Sequence, residues 1–169
     1  MKVINLIGYS GSGKTFFVVE AIKGLRERYT LNCAVIKNIH EHQIDEEGKD
    51  SYLYSQAGAN YSITKNIYDE TTIFLKKKIS IPKIIKWLSQ SPLPVDLVFT
   101  EGFRSVDYPT ILCAKKVEDI KNQMNDNVRM IAGMIALKKY DEINLNIPIP
   151  IVNIKEQFEI FLEIFEIKK

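Results

Sequence analysis

Short apolar runs alternate with amphipathic segments along most of the chain. Apolar runs bounded by polar or turn-forming residues are typical of buried strands, and they occur at residues 2–7, 32–37, 95–100, 110–114, 130–137 and 151–152. Apolar side chains recur at helical spacing at residues 14–29, 80–88 and 153–168. Ser80 with Pro82, and Asn153 with Glu156, are helix-start signals for the last two segments. Because strands and helices alternate, the pattern predicts an α/β fold with a mostly parallel sheet and helices on both faces.

The middle of the chain breaks this alternation. Residues 38–49 are polar and show no periodicity, so we expect a loop there. Residues 50–57 predict a short helix ended by Gly58, and segments 60–65 and 66–76 predict two strands that extend the fold. The second of these strands would be an aggregation-prone edge if it stayed open. Either it pairs with the first strand as a β-hairpin, or it pairs with a second copy of the chain.

Length and composition fit one globular domain that spans residues 1–169. The chain is 46% hydrophobic and 26% charged, which argues against a disordered protein. A net charge of +2 gives no support for binding nucleic acid or an anionic membrane. No apolar run approaches the ~20 residues of a membrane-spanning helix, and the first strand leaves no room for a signal peptide. We therefore expect a cytoplasmic protein.

The cysteines and histidines give little sign of a metal site. Cys33 and Cys113 each fall inside a predicted strand, where we expect small buried side chains rather than a disulfide. His40 and His42 lie in the polar loop with no cysteine or third histidine nearby, so a plain surface position is favoured. A contact from these histidines to phosphate, another ligand or a partner stays open.

The strongest chemical signal lies between the first strand and the first helix, in the octapeptide Gly8-Tyr9-Ser10-Gly11-Ser12-Gly13-Lys14-Thr15. It matches the G-x-x-x-x-G-K-S/T phosphate-binding loop, or P-loop, so we expect the α/β fold to be of the P-loop NTPase type. Glycines let backbone N–H groups surround a phosphate, and the helix that follows adds its own unpaired N–H groups. Lys14 is expected to reach the β- and γ-phosphates, and the Thr15 hydroxyl to bind Mg²⁺. We expect the nucleotide to contact this loop and Phe16, directly after it.

A P-loop needs an acidic partner for its metal, at the end of a neighbouring strand. Parallel strands end at one edge of the sheet, and the apolar run 95–100 delivers Glu101 to its own carboxyl end. Glu101 is expected to hold Mg²⁺ through water or to activate an attacking water. The alternative is a solvated loop carboxylate, and the P-loop upstream favours the catalytic role.

The base-recognition signal is weaker. Guanine-reading proteins carry an N/T-K-x-D motif after a late strand, and Lys138-Lys139-Tyr140-Asp141 matches only its K-x-D part. Lys139 and Asp141 are therefore candidates for the base contact, with a solvated turn as the equally supported alternative.

Taken together, four blocks resemble the MobB-type molybdopterin-guanine dinucleotide biosynthesis adapter proteins. They are the P-loop, the Val35-Ile36-Lys37 block with its following histidines, the Gly48-Lys49-Asp50-Ser51 block with Ala57-Gly58-Ala59, and the Thr100-Glu101-Gly102-Phe103-Arg104 block. The resemblance covers residues 1 to about 137. One departure is Glu41, which separates two histidines that the family often has side by side.

The resemblance implies a GTP-binding homodimer with low intrinsic GTPase activity. Such a protein would act with the guanylyltransferase that attaches GMP to molybdopterin. By position, Gly11, Gly13, Lys14 and Thr15 would hold phosphate and Mg²⁺, and Glu101 would face the metal. Asp50 and Ser51 would belong to a segment near the γ-phosphate or the partner.

Two other classes of function compete with this one. A small-molecule kinase on a P-loop fold needs an arginine-bearing lid, and neither the segment after Ser80 nor residues 117–127 contain an arginine. In a nucleotide-switched interaction module, the nucleotide would only order the 38–49 loop. The chain has four arginines, which favours slow or partner-dependent hydrolysis, because few arginines are available to neutralise the transition state.

Overall fold

A computed structural model of the chain describes residues 1–137 and 147–168. It divides into two compact units, residues 1–38 with 85–169 and residues 39–84, which are described separately below. The prediction of a single domain over residues 1–169 stays a prediction. Within the described residues, none of the helices combines the length and the apolar character that crossing a bilayer requires.

The larger unit is built on a parallel sheet of five strands. In chain order these are β1 (Lys2–Ile7), β2 (Cys33–Lys37), β5 (Leu97–Glu101), β6 (Thr110–Cys113) and β7 (Val128–Ala132). Their spatial order is β2-β5-β1-β6-β7, and all four neighbouring pairs are parallel. The carboxyl ends of the strands therefore share one edge, and β1 lies between the strands that end at Glu101 and Cys113.

Helices cover both faces of this sheet, as the sequence predicted. α1 (Lys14–Tyr29) and α5 (Phe158–Ile164) pack on one face, where Phe17 and Phe161 meet edge to face with ring centroids 5.6 Å apart. α4 (Val117–Gln123) and a 3₁₀-helix (Met134–Leu137) pack on the other. Alternate residues of β6 enter the two clusters, as the two-residue period of a strand requires.

The smaller unit contains α2 (Asp50–Gln56) and an antiparallel hairpin of β3 (Ser62–Lys65) and β4 (Thr71–Phe74). The hairpin alternative is thus confirmed within the chain. The predicted 38–49 loop has neither helix nor strand, yet it is anchored at Asp45, which is 3% exposed. Asp45 accepts a 2.8 Å hydrogen bond from Ser51 and lies 3.5 Å from the Lys76 ammonium.

Two boundaries that differ from the sequence-based predictions have clear local causes. The strand expected over residues 130–137 ends at Ala132, because Gly133 adopts a φ of +88° and turns the chain into the 3₁₀-helix. The last helix begins at Phe158 rather than Asn153, because Gln157, not Glu156, accepts a hydrogen bond from the Asn153 amide and closes a separate turn first.

The second strand was predicted to be buried, and this was wrong. β2 is the edge strand, so Cys33 is only partly buried and Val35 is 46% exposed. The remaining helix α3 (Ile81–Ser89) runs where the Ser80-Ile81-Pro82 start signal predicted it.

Candidate functional site

The octapeptide forms a tight turn between the end of β1 at Ile7 and the start of α1 at Lys14. Three of its residues have positive φ: Gly8 at +147°, Gly11 at +68° and Gly13 at +97°. This conformation strains residues that carry a Cβ, which explains the glycines at these positions. Gly13 is the residue before the helix, so the first unpaired N–H groups of α1 open onto the loop.

Two neighbouring segments press directly against the loop. A Cβ on Gly8 would lie 2.2 Å from the Cys113 carbonyl oxygen at the end of β6. A Cβ on Gly133 would lie 2.2 Å from the Ser12 carbonyl oxygen, which also accepts a 3.0 Å hydrogen bond from the Met134 amide. Close backbone approach from β6 and from the turn after β7 therefore fixes the path of the loop.

The Lys14 side chain folds back over the backbone of the P-loop. It donates hydrogen bonds to the carbonyl oxygens of Gly8, at 2.9 Å, and Tyr9, at 3.0 Å. These contacts hold a positive charge at the loop without an acidic partner, since no ion pair to Lys14 occurs among residues 1–137 and 147–168. Such a charge beside unpaired N–H groups suits an anionic oligophosphate.

Thr15 and Glu101 meet at the carboxyl edge of the sheet. The Thr15 hydroxyl lies 3.2 Å from one Glu101 carboxylate oxygen and 3.4 Å from the other. β1 and β5 are paired in parallel register, which brings the residues after β1 beside the end of β5. Hydroxyl and carboxylate oxygens are ligands that Mg²⁺ accepts, and Glu101 is 5% exposed. The donor set therefore fits a phosphate-bound Mg²⁺.

Lys37 is a member of this cluster that the sequence reasoning missed. Its ammonium lies 3.5 Å from the Glu101 carboxylate and 3.4 Å from the Thr15 hydroxyl oxygen. It belongs there because Lys37 and Glu101 are register partners in the β2–β5 pair. Two signals were available: its position at the end of a predicted strand, as for Glu101, and its place in the Val35-Ile36-Lys37 block of the family resemblance.

A row of buried polar side chains supports the turn that carries Glu101. Thr100 donates a 2.9 Å hydrogen bond to the Asn5 side-chain oxygen, and the Asn5 amide donates to Thr110 and to the Phe103 carbonyl. These residues lie side by side across β5, β1 and β6. The satisfied network fixes the backbone on both sides of Glu101, which suits a site whose carboxylate must hold its place.

Lys115 brings a second exposed ammonium to the loop. Its Nζ lies 2.9 Å from the position that a Cβ on Gly11 would occupy. Asp119, at the start of α4, accepts a 3.0 Å hydrogen bond from the Lys115 backbone amide and so fixes where this side chain begins. Arg104 is held differently, by a hydrogen bond to Gln123 and by stacking 5.5 Å from the Tyr9 ring centroid.

Replacing Lys115 by methionine is expected to weaken nucleotide binding about threefold to tenfold, because an exposed cation near phosphate contributes about 1 kcal/mol. Lys116 is the matched control, since it is the adjacent exposed lysine and no contact joins its side chain to the loop in the described part of the chain. Equal affinities of Lys115→Met and Lys116→Met in a fluorescent-nucleotide titration would contradict a phosphate contact from Lys115.

A small surface cleft opens beside the start of α1. Phe16, 40% exposed, lines it with Leu137 from the 3₁₀-helix and Asn153 from the turn before α5. The Lys155 ammonium lies 5.2 Å from the Phe16 ring centroid. The cleft thus offers an aromatic face, an aliphatic wall and a side-chain amide directly beside the P-loop.

Comparison with known proteins settles the family. The model of the family Molybdopterin guanine dinucleotide synthesis protein B, MobB, matches residues 3–136 of the chain. The chain belongs to the MobB family. The match covers the P-loop, Lys37, Glu101 and Lys115, whereas Leu137 and Asn153 of the neighbouring cleft lie beyond it.

Two curated relatives support this assignment. A Haemophilus influenzae protein named molybdopterin-guanine dinucleotide biosynthesis adapter protein is 34% identical over 116 residues, which are 66% of this chain and 62% of that protein. A Methanocaldococcus jannaschii protein, named as a candidate adapter of the same kind, is 32% identical over 136 residues, or 78% of this chain and 54% of that protein. The match therefore spans little more than half the length of these relatives.

Solved MobB structures share the fold. A Bacillus subtilis MobB crystal structure superposes with a TM-score of 0.77, covers 99% of this chain and all of its own, and is 21% identical. A MobB homologue from Bacillus stearothermophilus gives a TM-score of 0.71 at 17% identity, with 99% of this chain and all of its own covered. At these identities the comparison confirms the α/β fold alone.

The predicted site residues fall into three groups. Gly8, Ser10, Gly11, Ser12, Gly13, Lys14, Thr15, Phe16 and Glu101 lie together in the larger unit. Asp50 lies in the smaller unit, as the exposed first residue of α2, and His40 and His42 are exposed in the loop before it. Lys139 and Asp141 lie outside the described residues.

Cys113 lies fully buried beneath the P-loop. Burial raises the pKa of its thiol to about 12, and Lys14 opposes this shift only in part. The pKa of this thiol is therefore higher in the folded protein than its ordinary value of 9.0. Its contribution to the free energy of unfolding is present in full below pH 9 and is lost as the pH rises towards 12.

We therefore expect the free energy of unfolding to fall more steeply with alkaline pH in the wild type than in Cys113→Ala. The excess slope is about 1.4 kcal/mol per pH unit between about pH 9.5 and about pH 11. Urea unfolding at several pH values measures it, and comparing the two proteins removes the contribution of the lysines they share. Parallel stability profiles would contradict burial of the thiol.

Proposed function

We propose that this chain binds GTP and Mg²⁺ at its P-loop and works as an adapter in molybdopterin guanine dinucleotide biosynthesis. The observation that carries the nucleotide-binding part is the contact between the Thr15 hydroxyl and the Glu101 carboxylate, 3.2 Å apart beside the Lys14 ammonium. A phosphate-binding turn, a metal-binding hydroxyl and an acidic partner are the parts that phosphate-bound Mg²⁺ requires.

The phosphates would lie against the loop N–H groups and the start of α1. Lys14 would exchange its two backbone carbonyl contacts for β- and γ-phosphate oxygens, a change that trades neutral hydrogen bonds for charge-assisted ones. Thr15 and Glu101 would hold Mg²⁺, which neutralises phosphate charge when it is bound. Glu101 would bind the metal directly or through a water.

The base would lie against the exposed Phe16 ring, beside the small cleft at the start of α1. An exposed aromatic ring and Leu137 offer apolar surface to a purine, and the Asn153 amide can both donate and accept hydrogen bonds. The proposed preference for guanine rests on the family resemblance and on Lys139 and Asp141. Competition between GTP and ATP for one labelled nucleotide measures that preference.

Hydrolysis by the chain alone would be slow. The arginines that the structure shows engaged serve structural roles: Arg28 pairs with Glu159, Arg104 binds Gln123, and Arg129 donates to the Asp126 carbonyl. An arginine that stabilises transition-state charge raises phosphoryl-transfer rates by several orders of magnitude. With these three arginines held elsewhere, turnover would be weak or would wait for a partner.

We infer the adapter role from the names of the curated relatives. Such a role would require a surface that contacts other proteins. The smaller unit exposes large apolar side chains that an isolated hairpin cannot bury: Tyr61, Ile63, Ile67, Tyr68 and Ile73. Such a surface is typical of an interaction site. A second copy of the chain would use it in a homodimer, and the guanylyltransferase with its molybdopterin would be the functional partner.

Steady-state turnover tests this function. The purified chain is expected to hydrolyse GTP well below the median enzyme rate of about 10 s⁻¹, and a molybdenum cofactor guanylyltransferase is expected to bind it in a nucleotide-dependent manner. Turnover of tens per second without a partner, or phosphoryl transfer to a small acceptor, would contradict the adapter role. Glu101→Gln is the control that removes the proposed metal ligand while conserving side-chain shape.

A further inference from the structure

The position of Lys37 has a consequence for metal binding at the proposed nucleotide site. Its ammonium contacts the same two groups that would bind the metal, at 3.4 Å from the Thr15 hydroxyl oxygen and 3.5 Å from the Glu101 carboxylate. Mg²⁺ requires oxygen ligands at about 2.1 Å in near-octahedral geometry. An ammonium left within a few ångströms of the metal would repel it strongly, since both are cations.

Glu101 needs a positive charge in the absence of metal. Its side chain is 7% exposed, and a buried carboxylate without a counter-charge is costly. Across residues 1–137 and 147–168, the cation that lies within 4 Å of this carboxylate is Lys37. Lys37 is itself about half exposed and carries a flexible four-carbon stem, so its ammonium can leave the pair without disturbing β2.

We propose that Lys37 is a resident counter-ion that takes the place of the metal. It neutralises Glu101 and holds the Thr15–Glu101 pair together when nucleotide is absent, and Mg²⁺ displaces it on binding. This inference rests on the proposed function, because it concerns the same metal ligands. As a consequence, the protein stays stable without nucleotide. Metal binding, however, needs a higher Mg²⁺ concentration than it would if Lys37 did not compete for the two oxygen ligands.

The first test concerns the metal-free protein and needs no nucleotide. In EDTA, Lys37→Met is expected to lower the urea midpoint, because Glu101 loses its counter-charge. When Glu101 is already replaced by glutamine, adding Lys37→Met is expected to leave the urea midpoint where Glu101→Gln alone puts it. Lys23→Met, which removes an exposed lysine paired with Glu20 on α1, is the matched control and is expected to leave the midpoint in place. Equal losses from Lys37→Met in both backgrounds would overturn the counter-ion role.

The second test measures competition. With a fluorescent GDP analogue and MgCl₂ as the titrant, Lys37→Met is expected to reach half-maximal metal-dependent binding at about tenfold lower Mg²⁺ than the wild type, a difference of about 1.4 kcal/mol. A role of Lys37 in folding alone would not shift this midpoint downward. An unchanged or higher Mg²⁺ requirement would overturn the inference.

The two tests separate this inference from the proposed function. If the wild type binds no nucleotide at any Mg²⁺ concentration, the proposed function fails, whereas the coupling of Lys37 and Glu101 in EDTA is still measured. If the wild type binds nucleotide and the Lys37→Met midpoint does not fall, the inference fails and the proposed function stands.

Discussion

Gly133→Ala is expected to cost about 4 kcal/mol or more of folding stability, among the largest effects of a single methyl group. Gly133 has a φ of +88°, and a Cβ there would lie 2.2 Å from the Ser12 carbonyl oxygen and 3.0 Å from the Ala114 amide nitrogen. Both of these neighbouring atoms belong to the backbone of segments that are themselves fixed. The clash therefore cannot be relieved by a side chain that moves away. The P-loop would have to move away from the turn after β7.

Urea unfolding compares this variant with Gly58→Ala. Gly58 has a φ of +102°, and nothing lies within 4 Å of its Cβ position, so alanine there costs only the left-handed backbone strain of about 1–2 kcal/mol. The matched pair separates the steric clash from the strain that both substitutions share. Similar losses at the two glycines would mean that the loop does not pack on Gly133 as described.

Lys14→Ala is expected to lower nucleotide affinity about 100-fold or more, which corresponds to about 3 kcal/mol. The variant removes the ammonium that folds over the loop while leaving the backbone amides in place. The Gly8 and Tyr9 carbonyl oxygens lose a donor, but Tyr9 is exposed and water can replace the contact, so folding should change little. Equilibrium titration with a fluorescent GTP analogue measures the loss.

Lys23→Ala is the control for this variant. Lys23 lies on the exposed side of α1 and pairs with Glu20 at 2.9 Å, so its removal changes net charge by the same amount at a distance from the loop. We expect wild-type affinity for Lys23→Ala. A similar drop in both variants would indicate a general charge effect rather than a phosphate contact.

The sequence predicted the parts of the site that depend on local pattern. β1, the P-loop glycines and α1 follow one another along the chain, and α1 has the bounds that apolar periodicity indicated. Glu101 could be predicted because P-loop proteins place an acidic residue at the end of a neighbouring strand. The contact to Thr15 at 3.2 Å is the geometry that this expectation requires, although its role in metal binding is still a prediction.

Contacts that depend on strand order could not be predicted in the same way. Lys37 reaches Glu101 because β2 lies next to β5, and no pattern in the sequence specifies that β2 pairs there rather than with β1. Lys115 reaches Gly11 because β6 lies on the other side of β1. The register between distant strands is set by packing of the whole sheet.

Two boundary errors have local physical causes. The apolar run 130–137 continues past the end of β7 because Ile135 is buried in the cluster on the α4 face, so hydrophobicity alone did not show the turn. Gly133 was the signal for that turn, since a glycine inside a strand pattern often marks a close approach of backbone. The capping contact expected between Asn153 and Glu156 forms with Gln157 instead, and it closes a turn before α5.

Calorimetric titration of the purified chain with GTP, in MgCl₂ and again in EDTA, tests the central claim most directly. The account predicts saturable binding of one GTP per chain that weakens when Mg²⁺ is removed and is lost in Lys14→Ala. Absence of binding heat and of any thermal stabilisation by GTP in MgCl₂ would contradict it, as would binding that Lys14→Ala leaves intact.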